Sequence, residues 1–293
     1  MTAVPVAVVA HREKLDPTLG EALREALTAE GLDVQWYDIG KGRAATKAAR
    51  RAMKAGAQHV VVAGGDGTVR AAIEAVAGTG VPLAVVPAGT ANLFATGLGL
   101  PSDPLAIARA VRQRSTRVLD TGRCNGHTFA VMAGTGLDAG MIDFADRDKE
   151  RLGMVAYLRA GVREARHREP FRVKVKVDGT TLVDDRASCV LVGNLGTLKG
   201  GLEAFPAARP DDGLLDVAVI SASGVGQWAG LLWTAVRGKP GASSHVCFAQ
   251  GRRIDVSLKR EHRYELDGGS VRKDDRLKFR VQPASLHVTI AAD

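Results

Sequence analysis

Residues 60–68 read VVVAGGDGT and residues 85–92 read VVPAGTAN, so two short β-branched runs each stop at a glycine turn that carries a carboxylate or a hydroxyl. In Gly64-Gly65-Asp66-Gly67-Thr68 the three glycines let the backbone curl close to an oxyanion, with successive amide N–H groups aimed at phosphate oxygens. Asp66 stands at the centre of that turn. A carboxylate among phosphate-cradling amides repels the ligand unless a divalent cation lies between them, or unless the carboxylate takes a proton from an incoming hydroxyl. Phosphoryl transfer is the chemistry these residues point to. Either turn alone reads as an ordinary strand-to-helix connection of an α/β sheet, where glycine is common. Two of them in consecutive strand–helix units favour function, because turns after successive parallel strands open on one sheet edge and face one ligand.

The elements that must position these turns follow from the hydrophobic rhythm. VPVAVV (4–9) precedes a helical stretch with Leu19, Ala22, Leu23, Ala26 and Leu27 on one face; LDVQWY (32–37) and a basic helical segment (44–55) come next. HVVVA and PLAVV each run into a glycine turn and a helical continuation. Apolar strands without alternation, separated by helices, predict a doubly wound parallel sheet covered on both faces. From about residue 118 the period becomes two: FRVKVKV (171–177) sets Phe171, Val173, Val175 and Val177 against Arg172, Lys174 and Lys176. CVLVG (189–193), LDVAVI (215–220), RIDVSL (253–258), LKFRV (277–281) and LHVTI (286–290) continue a mostly β second half. The reading is an α/β domain over 1–118 and a β-sandwich over 119–293, the last few residues returning to the first domain. A junction helix is expected within 147–168.

The chain has 293 residues and a net charge of +8, which favours anionic partners without choosing among nucleotides, phospholipid surfaces and nucleic acid. Cys124, Cys189 and Cys247 are odd in number and widely spaced, so neither a disulfide framework nor a zinc site is indicated and a reducing cytoplasm fits best. No signal peptide is evident. The uncharged span 217–236 is interrupted by Ser221, Ser223, Gly224, Gly226 and Gln227, a composition for a strand, a turn and a short helix rather than a transmembrane segment.

Taken in order, GGDGT (64–68), PAGTAN (87–92), LGLP (98–101), GTGLDA (134–139), GMVAYLRAG (153–161), VGNLGTLKGG (192–201), PAARPDDGLLDV (206–217) and LDG (266–268) resemble the diacylglycerol kinase catalytic-domain family in its soluble bacterial lipid-kinase branch, related to sphingosine kinases and NAD kinases. The resemblance implies ATP in a cleft between an N-terminal α/β domain and a C-terminal β-sandwich. It implies phosphate contacts from Gly64, Gly65, Gly67 and Thr68, metal-assisted chemistry at Asp66 with Mg²⁺, and polar contacts from Thr90 and Asn92. Asp212 and the backbone at Leu214 would bind a second, structural divalent ion, although Pro210-Asp211-Asp212-Gly213 by itself reads as a type I turn. Asp138, in GTGLDA, matches the position near the acceptor headgroup.

Two departures from the family pattern bear on mechanism. The usual Asn-Pro and Ser-Gly turn after the first strand is replaced by His11-Arg12-Glu13-Lys14, where Lys14 or Arg12 supplies positive charge to the phosphates. The usual Asp-Gly-Glu, whose glutamate is the proposed general base, is Asp267-Gly268-Gly269 here. A missing base costs ~10² to 10⁴ in rate, so another carboxylate acts or the enzyme is weak. Asp66, Glu265 and Asp267 are the candidates, with Asp66 favoured because phosphoryl transfer depends chiefly on positioning and charge neutralisation.

The leading reading is ATP-dependent phosphorylation of a hydroxyl of diacylglycerol or a related lipid by a cytoplasmic, peripherally membrane-associated protein. Trp228, Leu231, Leu232 and Trp233, followed by Arg237 and Lys239, form a candidate interfacial patch, unless the tryptophans simply pack a helix onto the sandwich. Arg159, Arg163, Arg166, His167 and Arg168 are a second cationic cluster. The alternatives are a kinase of a soluble acceptor such as NAD, and a nucleotide- or lipid-binding protein without turnover, motivated by Gly269. KGRAATKAARRAMK (41–54) is basic but has no interleaved aromatic residues, so no nucleic-acid partner is expected. An exposed sandwich edge is a surface on which a homodimer can form.

Overall fold

The structure, a computed structural model, describes residues 4–136, 170–198, 202–236 and 243–291. The chain divides into two compact units, Met1–Thr121 with Pro283–Asp293, and Gly122–Gln282.

In the first unit β1 (Pro5–His11), β2 (Asp33–Ile39), β3 (His59–Gly64) and β4 (Leu83–Pro87) form a parallel sheet in the order β2-β1-β3-β4. β3 is buried at every residue, which is why its sequence is apolar without alternation. The strands are connected by α1 (Pro17–Ala29), α2 (Ala45–Lys54) and α3 (Asp66–Val76), and α4 (Leu93–Leu98) and α5 (Pro104–Gln113) follow β4. α1 and α5 start the same way. Asp16 accepts the amides of Thr18 and Leu19 and Asp103 accepts that of Ala106, in each case with proline at the first helical position. Leu23 and Leu27 of α1 and Ile107 and Val111 of α5 join Val6, Val8, Val61 and Val86 in one core.

The second unit is antiparallel. Its strands are the end of β5 (Thr116–Cys124), β6 (His127–Phe129), β7 (Met132–Thr135), β8 (Phe171–Val177), β9 (Thr180–Ala187) and β10 (Cys189–Gly193), then the short pair β11 (Thr197–Leu198) and β12 (Leu202–Glu203), and β13 (Leu215–Ile220). The helix α6 (Gly224–Val236) precedes β14 (Val246–Gly251), β15 (Arg253–Leu266) and β16 (Gly269–Thr289). Val173 and Val175 are buried while Arg172 and Lys176 are exposed, as the period of two requires. Three hairpins turn on two residues, Asn125-Gly126, Asp178-Gly179 and Asp267-Gly268, each with positive φ at both positions. Asparagine or aspartate followed by glycine suits that mirror-image turn. The end of β16 belongs to the first unit, where Val288 pairs in parallel with Leu83.

Burial pushes the Cys124 thiol up to about 12, with Asp274 adding to the shift, so this cysteine is a packing residue rather than a nucleophile. No described helix is long and apolar enough to cross a membrane.

Candidate active site

β1, β3 and β4 run in the same direction, so their following turns gather at one edge of the sheet. The chain goes from β1 outward to β2 and then returns to the far side of β1 as β3. The strand order therefore reverses between β1 and β3, the place where open α/β sheets bind ligands.

The turn after β3 is Gly65, which leads directly into α3 at Asp66. No side chain caps this helix. The start of α3 follows the end of β3 directly, and the helix dipole makes that position favourable for an anion. Gly64 is confined by Thr68, whose side-chain atoms would lie 2.7–2.9 Å from a Cβ at residue 64. Thr68 is buried and its amide bonds the carbonyl of Gly65 at 2.8 Å, so it shapes the loop from beneath while Gly67 is exposed.

Asp66 binds the neighbouring turn. Its two carboxylate oxygens accept the amides of Asn92 at 2.9 Å and Leu93 at 2.6 Å, which closes the start of α4. Asn92 takes a left-handed φ of 48°, a conformation asparagine tolerates, and its side-chain amide clasps Gly89 by accepting from the Gly89 N–H at 2.9 Å and donating to the Gly89 carbonyl at 2.8 Å. Gly89 is thereby pressed onto Gly65: a Cβ on Gly89 would lie 2.6 Å from the Gly65 Cα. The two glycine turns form one backbone surface, locked by Asp66 and Asn92. Thr90 is exposed on the rim of the second turn.

On the β1 side Arg12, Glu13 and Lys14 are exposed in the turn that precedes α1. Sequence reasoning, which weighs Lys14 and Arg12, misses His11. This last residue of β1 is buried, and its Nδ1 is buried without a hydrogen-bond partner among the described residues. An orphaned polar atom costs ~1–3 kcal/mol, so a ligand group that reaches it recovers that energy. The signal available in the sequence was its place at the end of an apolar strand, where the resembling family turns with Asn-Pro.

In the second unit Asp267 meets a geometry unlike that of a base. It lies in a hairpin turn at φ 47°, is buried, and its carboxylate accepts the amides of Ala130 at 2.9 Å, Val131 at 2.9 Å and Met132 at 3.0 Å. Its own amide donates to the Met132 carbonyl at 2.8 Å. Asp267 anchors the 130–132 segment. Glu265 is half-buried on β15 opposite Gly134. Asp138, the expected acceptor-side residue, and the junction helix expected within 147–168 lie outside the described residues.

Asp212 is exposed and accepts the Leu214 amide at 2.9 Å, the geometry of an Asx turn. Nearby Asp216 is buried, which pushes its carboxyl up to about 6; a hydrogen bond from Gln250 opposes the shift and the Asp212 charge adds to it. Among the described residues no three His, Cys, Asp or Glu side chains converge as metal ligands. A Mg²⁺ bound with a nucleotide needs no such cluster, since it takes one or two carboxylates and completes its shell with phosphate and water. Asp66, a carboxylate held among backbone amides at the start of α3, is a donor of the kind that demand calls for. The candidate interfacial patch is divided: Trp228 and Leu231 pack with Cys189, Ile220 and Ala222, whereas Trp233 is 58% exposed.

Two family descriptions match the chain, "Diacylglycerol kinase catalytic domain" over residues 8–124 and "YegS C-terminal NAD kinase beta sandwich-like domain" over residues 131–290. The chain belongs to the diacylglycerol kinase catalytic-domain family. It is 33% identical over 275 residues to a Pseudomonas aeruginosa protein named "Probable lipid kinase YegS-like", covering 92% of this chain and 88% of that one. A diacylglycerol kinase of Mycobacterium tuberculosis is 33% identical over 199 residues, 66% of this chain and 64% of that one. The chain spans about half the length of an uncharacterized Synechocystis protein to which it is 30% identical over 218 residues, or 73% of this chain and 50% of that protein. A crystal structure of a Bacillus anthracis diacylglycerol kinase superimposes with a TM-score of 0.75 over 99% of this chain and 98% of its own, at 21% identity, a likeness of fold. This fold is the expected one, a parallel α/β unit followed by a β-sandwich.

Proposed function

We propose that this chain transfers the γ-phosphate of ATP to a hydroxyl of diacylglycerol or a related lipid. The observation that carries this reading is the joined surface of Gly65 and Gly89 beside Asp66, at the point where the strand order reverses. Gly64, Gly65 and Gly67 supply close backbone approach to the phosphates, Thr68 sets the curvature of the loop, and Thr90 and Asn92 complete the neighbouring wall. His11 offers its buried Nδ1, and Lys14 adds charge from the β1 turn.

In the transfer the acceptor oxygen forms a bond to the γ-phosphorus, the bond from that phosphorus to the bridging oxygen of ADP breaks, and the hydroxyl proton passes to a carboxylate. Asp66 is that carboxylate in this proposal, while Asp267 holds its loop as a positioning residue. Asp66 would also hold a Mg²⁺, which would supply charge neutralisation for the transferring phosphoryl group. Asp138 is proposed to stand near the lipid headgroup, and Asp212 with the Leu214 carbonyl to hold a structural divalent ion.

Purified protein incubated with γ-labelled ATP, Mg²⁺ and mixed micelles of diacylglycerol is expected to yield labelled lipid, and Asp66→Asn to lower the rate ~10² to 10⁴-fold. Labelling of NAD in place of lipid would establish the soluble-acceptor alternative. ATP binding without transfer to any acceptor would establish a binding protein and end the kinase reading for this chain.

A further inference from the structure

Between Asp38 and Asp66 there is no acidic residue, while Lys41, Arg43, Lys47, Arg50, Arg51 and Lys54 fall within fourteen positions and account for most of the net charge of +8. All six are exposed, and none has an ion-pair partner among the described residues. α2 explains the arrangement. Ala45, Ala49 and Ala52 are fully buried, and the Thr46 hydroxyl donates to the Ala71 carbonyl of α3 at 2.8 Å, so one face of the helix is committed to the first unit. Lys47, Arg50, Arg51 and Lys54 follow the i, i+3, i+4, i+7 spacing and fill an arc of about 100° on the opposite face. The stripe is about 10 Å long, and Lys41 and Arg43 extend it past the helix start.

A solvated helix face normally mixes signs, because like charges at i, i+4 destabilise it. Here Lys47 and Arg51, and Arg50 and Lys54, are both such pairs. The stripe also lacks what a nucleic-acid reader uses: residues 41–54 contain no aromatic side chain to stack on bases and no asparagine or glutamine to read their edges. What remains is a convex, single-sign surface whose apolar side is already used inside the protein, suited to lying on a charged plane rather than to inserting in it.

We propose that the Lys47–Arg50–Arg51–Lys54 stripe of α2 docks the protein on the anionic phospholipid surface of a bilayer. The choice of a membrane over other polyanions rests on the lipid-kinase reading above. Adsorption by this face would keep the enzyme on the plane in which its acceptor diffuses, and would weaken as salt screens it.

The test is flotation of the full chain with vesicles of phosphatidylcholine alone and of phosphatidylcholine with phosphatidylglycerol, both without diacylglycerol, so that no turnover is needed for binding to be read. The wild type is expected on the phosphatidylglycerol vesicles only, and to leave them as salt rises. In K47Q/R50Q/R51Q/K54Q, which keeps good helix formers at exposed positions, the vesicle affinity should fall on the order of a thousandfold. Its kinase activity on acceptor dispersed in neutral detergent should stay at the wild-type level, which reports an intact fold. Equal flotation of variant and wild type, or flotation on phosphatidylcholine alone, would overturn the proposal. So would duplex DNA binding tighter than vesicle binding at the same salt and lost in the same variant. If lipid phosphorylation fails while charge-dependent flotation holds, the kinase reading falls and the docking face stands.

Discussion

The amide of Leu93 donates to a carboxylate oxygen of Asp66 at 2.6 Å, so the acid in the first glycine turn also caps the helix that follows the second. One residue thus couples the two glycine turns of the candidate site. Asp66→Asn keeps a single acceptor and loses the charge. Turnover is expected to fall ~10² to 10⁴-fold and stability by about 1.5 kcal/mol or more, since hydrogen bonds to a charged group are the stronger ones. Kinetics together with urea unfolding separate the two effects; wild-type turnover would remove Asp66 from the chemistry.

Gly89 faces Gly65 too closely for a side chain. Gly89→Ala sets a methyl group 2.6 Å from a backbone atom, which no rotamer change relieves, so the loops must part. The expected cost is ~1–3 kcal/mol, with a larger loss in ATP affinity than a surface substitution produces. Calorimetric titration with a non-hydrolysable ATP analogue, paired with thermal melting, checks both numbers.

His11 provides a test in which stability and binding move apart. His11→Phe retains a buried ring but removes the orphaned Nδ1, so the nucleotide-free protein should be as stable as the wild type or about 1 kcal/mol more so. The dissociation constant for ATP should rise about tenfold, a loss of ~1.4 kcal/mol. A binding constant that does not change would place the nucleotide away from the end of β1.

Much of this was legible beforehand, and the reasons differ by element. The parallel strands declare themselves because burial on both faces leaves no polar position, and FRVKVKV because its faces alternate. The GGDGT and PAGTAN turns could be paired from topology alone. Their joint use of Asp66 and Asn92 could not, since a carboxylate that caps a helix 26 residues away leaves no local pattern. Asp267-Gly268 carried two overlapping signals, a hairpin turn and a family motif, and spacing cannot say where a carboxylate points. Trp228 and Trp233 lie in the same uncharged stretch, yet only one is buried, a distinction set by helix phase against the sheet.

His59 makes the first unit sensitive to acid. Its ring nitrogen lies 2.7 Å from the Thr289 hydroxyl of the returning strand, and burial, aided by the charge of Arg114, lowers its pKa from 6.5 to about 4. The unfolded chain binds the proton first on acidification, so the neutral histidine stabilises the fold fully above about pH 6.5, and that stability drains away as pH falls toward 4. Between pH 7 and pH 5 the loss from this one group is about 2 kcal/mol. Urea unfolding at the two values, for the wild type and for His59→Gln, should show the step in the first and its absence in the second.

Asp267 and Gly269 decide whether the family's second carboxylate is needed. Asp267 satisfies three buried amides, so Asp267→Ala strands all three and should cost at least about 3 kcal/mol, whereas Asp267→Asn keeps an acceptor and costs less. If Asp267 only positions the 130–132 segment, the folded fraction of Asp267→Asn should retain kcat within a few-fold of the wild type. Gly269→Glu restores the acid that the resembling sequences carry two residues on. With Asp66 as the proton acceptor the gain should be under about tenfold, because the hydroxyl proton already has its acceptor and a second acid adds no new step. A rise of ~10² or more would assign the proton to that position and leave Asp66 with the metal alone.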